Sequence, residues 1–175
     1  LTNSSYKLSS FGFIYISIAT LSILWFRESS QGLISLSIII STIMVTDVSA
    51  YIVGNWLGGP KLFKVISPNK TLSGFIGAAI FGVGWFYLTV SFFIQKYEIS
   101  YLPIGILIVI TSIFGDLFIS FLKRRVGIKD TGFMLPGHGG LLDRADSILP
   151  VFIIIPIIVI IFDLIKDPSL IILGW

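Results

Sequence analysis

Residues 101–122 read YLPIGILIVITSIFGDLFISFL, a run of 22 residues in which Asp116 carries the single charge. A transmembrane helix needs about 20 mainly apolar residues, so this run predicts a membrane span. Four other apolar runs surround it: Phe11–Phe26, Leu33 to about Val53, Leu72–Ile94 and about Ser147 to Ile165. The runs are continuous, unlike the alternating strands of about 10 residues in a membrane barrel. The sequence therefore predicts an all-α integral membrane protein, a polytopic bundle of about five transmembrane helices.

The composition excludes the other common classes of protein. Of the 175 residues, 55% are apolar and 12% are charged, and the mean hydropathy is +0.99. A soluble domain carries about 25% charged residues, and a disulfide scaffold needs the cysteines that this sequence lacks. The chain starts at Leu1 rather than Met, almost directly before the first apolar run. We therefore expect residues 1–175 to form a single membrane domain that is an N-terminally truncated part of a longer protein.

The basic residues predict how the helices are oriented. With five spans, nine of the twelve basic residues lie on one side of the membrane: Lys7, Lys61, Lys64, Lys70, Lys123, Arg124, Arg125, Lys129 and Arg144. The other side holds Arg27, Lys96 and Lys166. Because cytoplasmic loops are enriched in Lys and Arg, the richer side is predicted to be cytoplasmic. The net charge of +3 is interpreted as this topology signal, and no nucleic-acid partner is expected.

Two carboxylates interrupt the apolar runs at a matched depth. Asp47 precedes the end of the second run by about seven residues and Asp116 precedes the end of the fourth by six. At about 1.5 Å rise per residue, both lie roughly 10 Å inside the cytoplasmic end. Ionisable residues in a span usually face a cavity and serve function, although a helix–helix hydrogen bond is the simpler alternative.

The two basic loops between spans add groups that bind metals and phosphates. Residues 137–146 read GHGGLLDRAD, where Asp143 and Asp146 share a helix face and suit Mg²⁺, although helix capping alone would explain Asp146. Lys70 and Thr71 precede the third run, so they lie at a helix N-terminus, which can bind anions. The alternative is that these charges only lie among the lipid headgroups. Three roles are open for His138: a metal ligand, an acid–base group or a hydrogen-bonding turn residue. Carboxylates and lysines together are the equipment of phosphoryl or nucleotidyl transfer.

The stretch Ser120–Asp146, SFLKRRVGIKDTGFMLPGHGGLLDRAD, closely resembles the signature of the phosphatidate cytidylyltransferases, also called CDP-diacylglycerol synthases. Three other segments resemble elements of the same family: Asp47 with Ala50, Tyr51 and Gly54; Ser67-Pro68 with Lys70, Thr71 and Gly74; and Gly115-Asp116. The likeness covers roughly residues 40 to 165. The chain departs from the family pattern at Asn55, Ser73, Ile113, Ile119 and Ala145, none of which is a proposed metal ligand.

This resemblance implies an enzyme of phospholipid biosynthesis that transfers CMP from CTP to phosphatidic acid, giving CDP-diacylglycerol and pyrophosphate. It implies the catalytic residues Asp116, Asp143, Asp146, Lys123, Arg124 and Arg144. It implies substrate-binding roles for Ser67, Lys70, Thr71, Lys129, His138, Gly139 and Gly140. Mg²⁺ is expected on Asp116, Asp143, Asp146 and Asp47, with room for a second metal ion. The expected location is a bacterial inner membrane, with the active face cytoplasmic. The chain is expected to be part of a larger polytopic enzyme that contacts membrane lipid. A homodimer is a further possibility.

Three other functions are consistent with parts of the sequence. A CDP-alcohol phosphatidyltransferase also has membrane carboxylates, but its dense run of Asp, Gly and Arg within one helix pair is not seen here. An ion-coupled transporter would use Asp47 and Asp116, yet it gives the loop around His138 no role. An inactive fragment is the third alternative.

Overall fold

The computed structural model describes residues 3–63, 66–95, 97–128 and 145–173. Four long helices dominate these residues: α1 (Asn3–Arg27), α2 (Gly32–Leu57), α3 (Leu72–Ile94) and α4 (Leu102–Arg125). The shorter elements are β1 (Lys61–Phe63), β2 (Ser67–Thr71), a 3-10 turn (Ile99–Tyr101), α5 (Ile148–Ile161) and α6 (Leu170–Leu173).

The prediction of an all-α polytopic membrane protein is confirmed. By length and apolar composition, four helices of the described residues can cross a membrane, and α5 is a shorter apolar helix of 14 residues. The predicted fifth run extended to Ile165, but α5 ends at Ile161. Asp163 then adopts the left-handed conformation with φ of 55°, which stops a helix. Conversely, α1 is longer than its apolar run because the preceding polar residues continue the helix from Asn3.

A small antiparallel hairpin links α2 to α3 and was not predicted. Strand β1 pairs with β2, with Lys61 opposite Thr71 and Phe63 opposite Ser67. Strand β2 continues directly into α3, where the Leu72 N–H donates to the Pro60 carbonyl oxygen at 3.0 Å. The hairpin therefore fixes its second strand, with Lys70, against the start of α3.

Glycines let the helices approach closely at the end of the bundle that carries this hairpin. A Cβ on Gly74 would lie 2.6 Å from the Ala50 carbonyl oxygen and 3.3 Å from the Gly54 Cα, so α2 and α3 touch along their backbones. A Cβ on Gly115 would collide with the ring of Pro150, so α5 lies directly on α4. These two contacts bring α2, α3, α4 and α5 together at one end, around the site described next.

Candidate active site

A cavity of about 560 Å³ lies between the C-terminal part of α2, the hairpin, the start of α3 and α4. Its volume is within the range of about 300–1,000 Å³ that is usual for small-molecule sites. Five of the residues predicted for the site line it: Asp47, Ser67, Lys70, Thr71 and Asp116. Three separate segments of sequence therefore converge on one cavity, as the functional interpretation requires.

An ion pair crosses this cavity. The Nζ of Lys70 lies 2.6 Å from Oδ2 of Asp116, with about a third of each side chain exposed. Ser120, one turn further along α4, donates to Oδ1 of Asp116 at 3.3 Å. The carboxylate of Asp116 is thus paired with the ammonium group of Lys70 on β2.

Asp47 forms the second polar contact of the cavity wall. The hydroxyl of Ser147, at the start of α5, donates to Oδ2 of Asp47 at 2.7 Å. Asp47 precedes the end of α2 at Leu57 by ten residues, and Asp116 precedes the end of α4 at Arg125 by nine. At about 1.5 Å per residue both lie roughly 14–15 Å from their helix ends, deeper than the predicted 10 Å, because both helices run past the apolar segments. The predicted match in depth is confirmed.

A second ion pair joins α4 to the start of α5. The Nζ of Lys123 lies 2.6 Å from Oδ2 of Asp146, and the two side chains are only 13% and 8% exposed. Asp146 was expected to bind a metal, and in the described structure it binds Lys123. Neither residue is among those that line the cavity, and Arg124 beside them is exposed.

Local hydrogen bonds explain how the hairpin positions Lys70. The Thr71 side chain caps α3 by accepting from the Gly74 N–H at 3.2 Å. With Leu72 bonded to Pro60, two N–H groups in the first turn of α3 are used internally. The predicted anion-binding role of this helix end therefore depends mainly on the Lys70 side chain.

Six predicted site residues lie outside the described residues: Lys129, His138, Gly139, Gly140, Asp143 and Arg144. Their predicted roles stay predictions. Within residues 3–63, 66–95, 97–128 and 145–173, no group of three or more His, Cys, Asp or Glu side chains is arranged to hold a metal ion.

The described carboxylates nevertheless fit Mg²⁺ chemically. Mg²⁺ commonly uses one or two carboxylates, with waters and substrate phosphates completing its shell. Asp47 and Asp116 supply such oxygens on the wall of a single cavity. A cluster of three protein ligands is therefore not a requirement for this ion.

Several cavity residues carry chemistry that the sequence reasoning did not assign. The amides of Asn55 and Asn69 and the Tyr51 ring line the cavity, and so does Lys61, which was considered only for topology. Ser147 was also missed. Its one sequence signal is its position directly after Asp146, at the start of an apolar run.

Comparison with known proteins places the chain in a family. The model of the family described as "Cytidylyltransferase family" matches residues 2–162. A protein of Brucella abortus named phosphatidate cytidylyltransferase is 38% identical over 139 residues, which cover 79% of this chain and 52% of that protein. Proteins of the same name from Staphylococcus haemolyticus and Mycobacterium bovis are 36% and 42% identical, covering 91% and 62% of this chain and 63% and 35% of their own lengths.

The chain thus spans about half the length of the curated relatives it matches. The family match includes α1–α5, the hairpin and every residue of the cavity wall. On that match, which covers most of the chain, the protein belongs to the cytidylyltransferase family.

Proposed function

We propose that the protein containing this chain is a phosphatidate cytidylyltransferase that makes CDP-diacylglycerol and pyrophosphate from CTP and phosphatidic acid. The observation that carries the proposal is the Lys70–Asp116 pair in the wall of a cavity at one end of a membrane bundle. Such a cavity offers a cation for phosphate and a carboxylate for a metal ion. Its position suits one substrate that resides in the membrane and one that arrives from water. The name carried by the similar proteins supports the same reaction.

The reaction joins two phosphate groups. An oxygen of the lipid phosphate attacks the α-phosphorus of CTP, a new P–O–P bond forms, and the bond from the α-phosphorus to the bridging oxygen breaks. Pyrophosphate leaves with that electron pair. The second pKa of a phosphate monoester is about 6, so the attacking group is largely ionised at neutral pH and needs no strong base.

The residues of the site have the task of bringing two anions together. Lys70 can leave Asp116 and bind a phosphate oxygen, because its side chain extends from a strand at the cavity wall rather than from a packed helix core. Asp116 and Asp47 are then the ligands that would hold Mg²⁺. When bound, Mg²⁺ would neutralise the CTP phosphates and orient them for in-line attack. Arg124, exposed at the end of α4, would bind the leaving pyrophosphate by charge-assisted hydrogen bonds, and Lys123 would do so after leaving Asp146.

The cavity lies at the end of the bundle where Lys61, Lys70 and Lys123 also lie. The excess of basic residues there supports a cytoplasmic location for this end, in the inner membrane of a bacterium. CTP would enter from that side.

The test is an assay of the complete gene product with CTP, Mg²⁺ and phosphatidic acid in mixed micelles. We expect release of pyrophosphate and formation of CDP-lipid, and loss of both in Asp116→Asn. Asp163→Asn, an exposed carboxylate beyond α5, is the matched control and should keep wild-type rates. Wild-type protein without CTP turnover would overturn the proposed function, and Asp116→Asn with full turnover would overturn the role of Asp116 as a metal ligand. Light scattering of the same preparation tests the expected homodimer.

A further inference from the structure

We infer that Ser147 is a positioning residue of this site, which holds the Asp47 carboxylate in place on the cavity wall. The inference rests on the function proposed above and adds a residue to it. Ser147 is 6% exposed and does not line the cavity, whereas its hydrogen-bond partner Asp47 does. Any effect of Ser147 on chemistry in the cavity must therefore act through Asp47.

The position of Ser147 makes this contact informative. Ser147 occupies the N-cap position of α5, where a serine side chain usually accepts a hydrogen bond from the first turn of its own helix. Here the side chain makes no capping hydrogen bond. Its hydroxyl instead donates to Oδ2 of Asp47 at 2.7 Å, on a helix 100 residues away in sequence. Ser147 has helical backbone angles, φ of -87° and ψ of -25°, instead of the extended angles of a capping serine, so its hydroxyl is available for this contact.

The residue before Ser147 strengthens the assignment. Asp146 binds Lys123 of α4 at 2.6 Å, while Ser147 binds Asp47 of α2 at 2.7 Å. Two adjacent residues at the start of α5 thus attach to two different helices of the site. Pro150 lies against Gly115 one turn later and holds α5 close to α4. The start of α5 is therefore fixed from several directions, which a positioning hydrogen bond requires.

A carboxylate without this donor would rotate among its rotamers. In the described structure Asp116 is held by Lys70 and Ser120, and Asp47 is held by Ser147. Groups that orient a metal-binding carboxylate typically change affinity or activity about 10–100-fold when they are removed. That is the loss we expect for Ser147→Ala in kcat/KM for CTP.

The test compares three variants of the complete gene product with the wild type. Ser147→Ala removes the donor, and Ser147→Thr keeps a hydroxyl and should return kcat/KM to within a few-fold of wild type. Ser112→Ala is the matched control, because Ser112 is a fully buried serine of α4 whose hydroxyl has no hydrogen-bond partner among the described residues, so its removal should leave turnover unchanged. If Ser147→Ala does not fold, Ser147→Cys keeps the volume with a weaker donor and takes its place.

A double-variant cycle separates positioning from general damage. Once Asp47→Ala has removed the acceptor, adding Ser147→Ala should cost less than about twofold further, because contacting residues are not additive. Thermal unfolding midpoints of the wild type, Asp47→Ala, Ser147→Ala and the double variant should show the same lack of additivity. Additive losses, or a folded Ser147→Ala with the kcat/KM of Ser112→Ala, would overturn the inference. If the wild type does not turn over CTP, the proposed function fails by itself, and the unfolding midpoints still decide whether Ser147 holds Asp47.

Discussion

The ammonium group of Lys70 lies 2.6 Å from the carboxylate of Asp116, so the hairpin and α4 are joined across the cavity by opposite charges. Each group is the other's partner in the structure described here. Binding of a phosphate by the lysine, or of a metal ion by the carboxylate, requires the pair to separate. If a phosphate and a metal ion bind together, the phosphate replaces Asp116 as the partner of Lys70 and the metal ion replaces Lys70 as the partner of Asp116.

Removal of the lysine charge should slow the reaction strongly. We expect Lys70→Met to lower kcat/KM for CTP by about 10²-fold, comparable to losing one preorganised donor at a site of developing charge. Lys166→Met is the control, since Lys166 is exposed at the opposite end of the chain's fold. Steady-state kinetics of pyrophosphate release measure both. Equal rates in the two variants would show that Lys70 has no part in turnover.

Gly115 should be intolerant of a side chain. In Gly115→Ala the new Cβ meets the ring of Pro150, which would push α5 away from α4. Overpacking of this kind costs about 1–3 kcal/mol. Gly84→Ala is the matched control: Gly84 is also a helical glycine, no neighbouring part of the described structure lies within 4 Å of its added Cβ, and the change should be neutral or slightly stabilising. Thermal unfolding in detergent compares them, and equal midpoints would contradict the close contact.

The Lys123–Asp146 pair should matter for stability as well as for chemistry. Both side chains are largely buried, so Lys123→Met removes a charged partner from a buried carboxylate, at a cost of up to about 3–5 kcal/mol. Replacing both residues with apolar side chains should restore much of the free energy of unfolding, but not CTP turnover. Denaturant unfolding of the two single variants and the double variant measures this. A double variant as unstable as the sum of the singles would contradict the expectation.

Removal of divalent cations should abolish turnover reversibly. EDTA is expected to stop pyrophosphate release, and added Mg²⁺ to restore it, because the protein's own lysines cannot neutralise both substrates alone. Asp47→Asn should raise the Mg²⁺ concentration needed for half-maximal rate, since it removes one candidate ligand. Full turnover in EDTA would exclude a metal requirement.

The opposite end of the bundle should make stability depend on acid pH. Burial acts to raise the pKa of Asp167, but hydrogen bonds from Ser169 and Ser30 outweigh it and hold the pKa below its usual range. A lowered pKa adds stability above the unfolded-state value of about 4, and this stability is lost as the pH falls through the folded-state value. Wild type should therefore exceed Asp167→Asn in unfolding midpoint at pH 7, with the gap closing below about pH 4. A gap that does not change with pH would rule out this contribution.

The sequence predicted which segments are helices more accurately than where each helix ends. It predicted which polar residues lie at the site more accurately than which residues they contact. The predicted third span coincides with α3, Leu72–Ile94, because its apolar run is bounded by polar residues on both sides. The hairpin was missed because β1 has three residues and β2 contains Pro68, which leaves no alternating pattern to detect.

The gathering of Asp47, Lys70 and Asp116 was predicted from matched depth and loop charge, but their pairing was not. Which lysine meets which carboxylate depends on how closely the helices approach. That distance is set by backbone contacts such as Gly54 with Gly74, which residue spacing along the chain does not encode. Asp146 is an example: from the sequence, its carboxylate is equally suited to bind a metal ion or to pair with a basic side chain, and in the structure it pairs with Lys123.

The two ion pairs also bear on how the bundle is assembled during synthesis. A bare charge at the centre of a span costs about 2.5–3.5 kcal/mol on insertion scales. Lys70 precedes Asp116 in the chain, so the lysine is already made when α4 emerges and can receive its carboxylate at once. Lys123 also precedes Asp146, so this ion pair forms only after the start of α5 has been made. The two ion pairs would therefore form in order as the chain is made, Lys70–Asp116 before Lys123–Asp146.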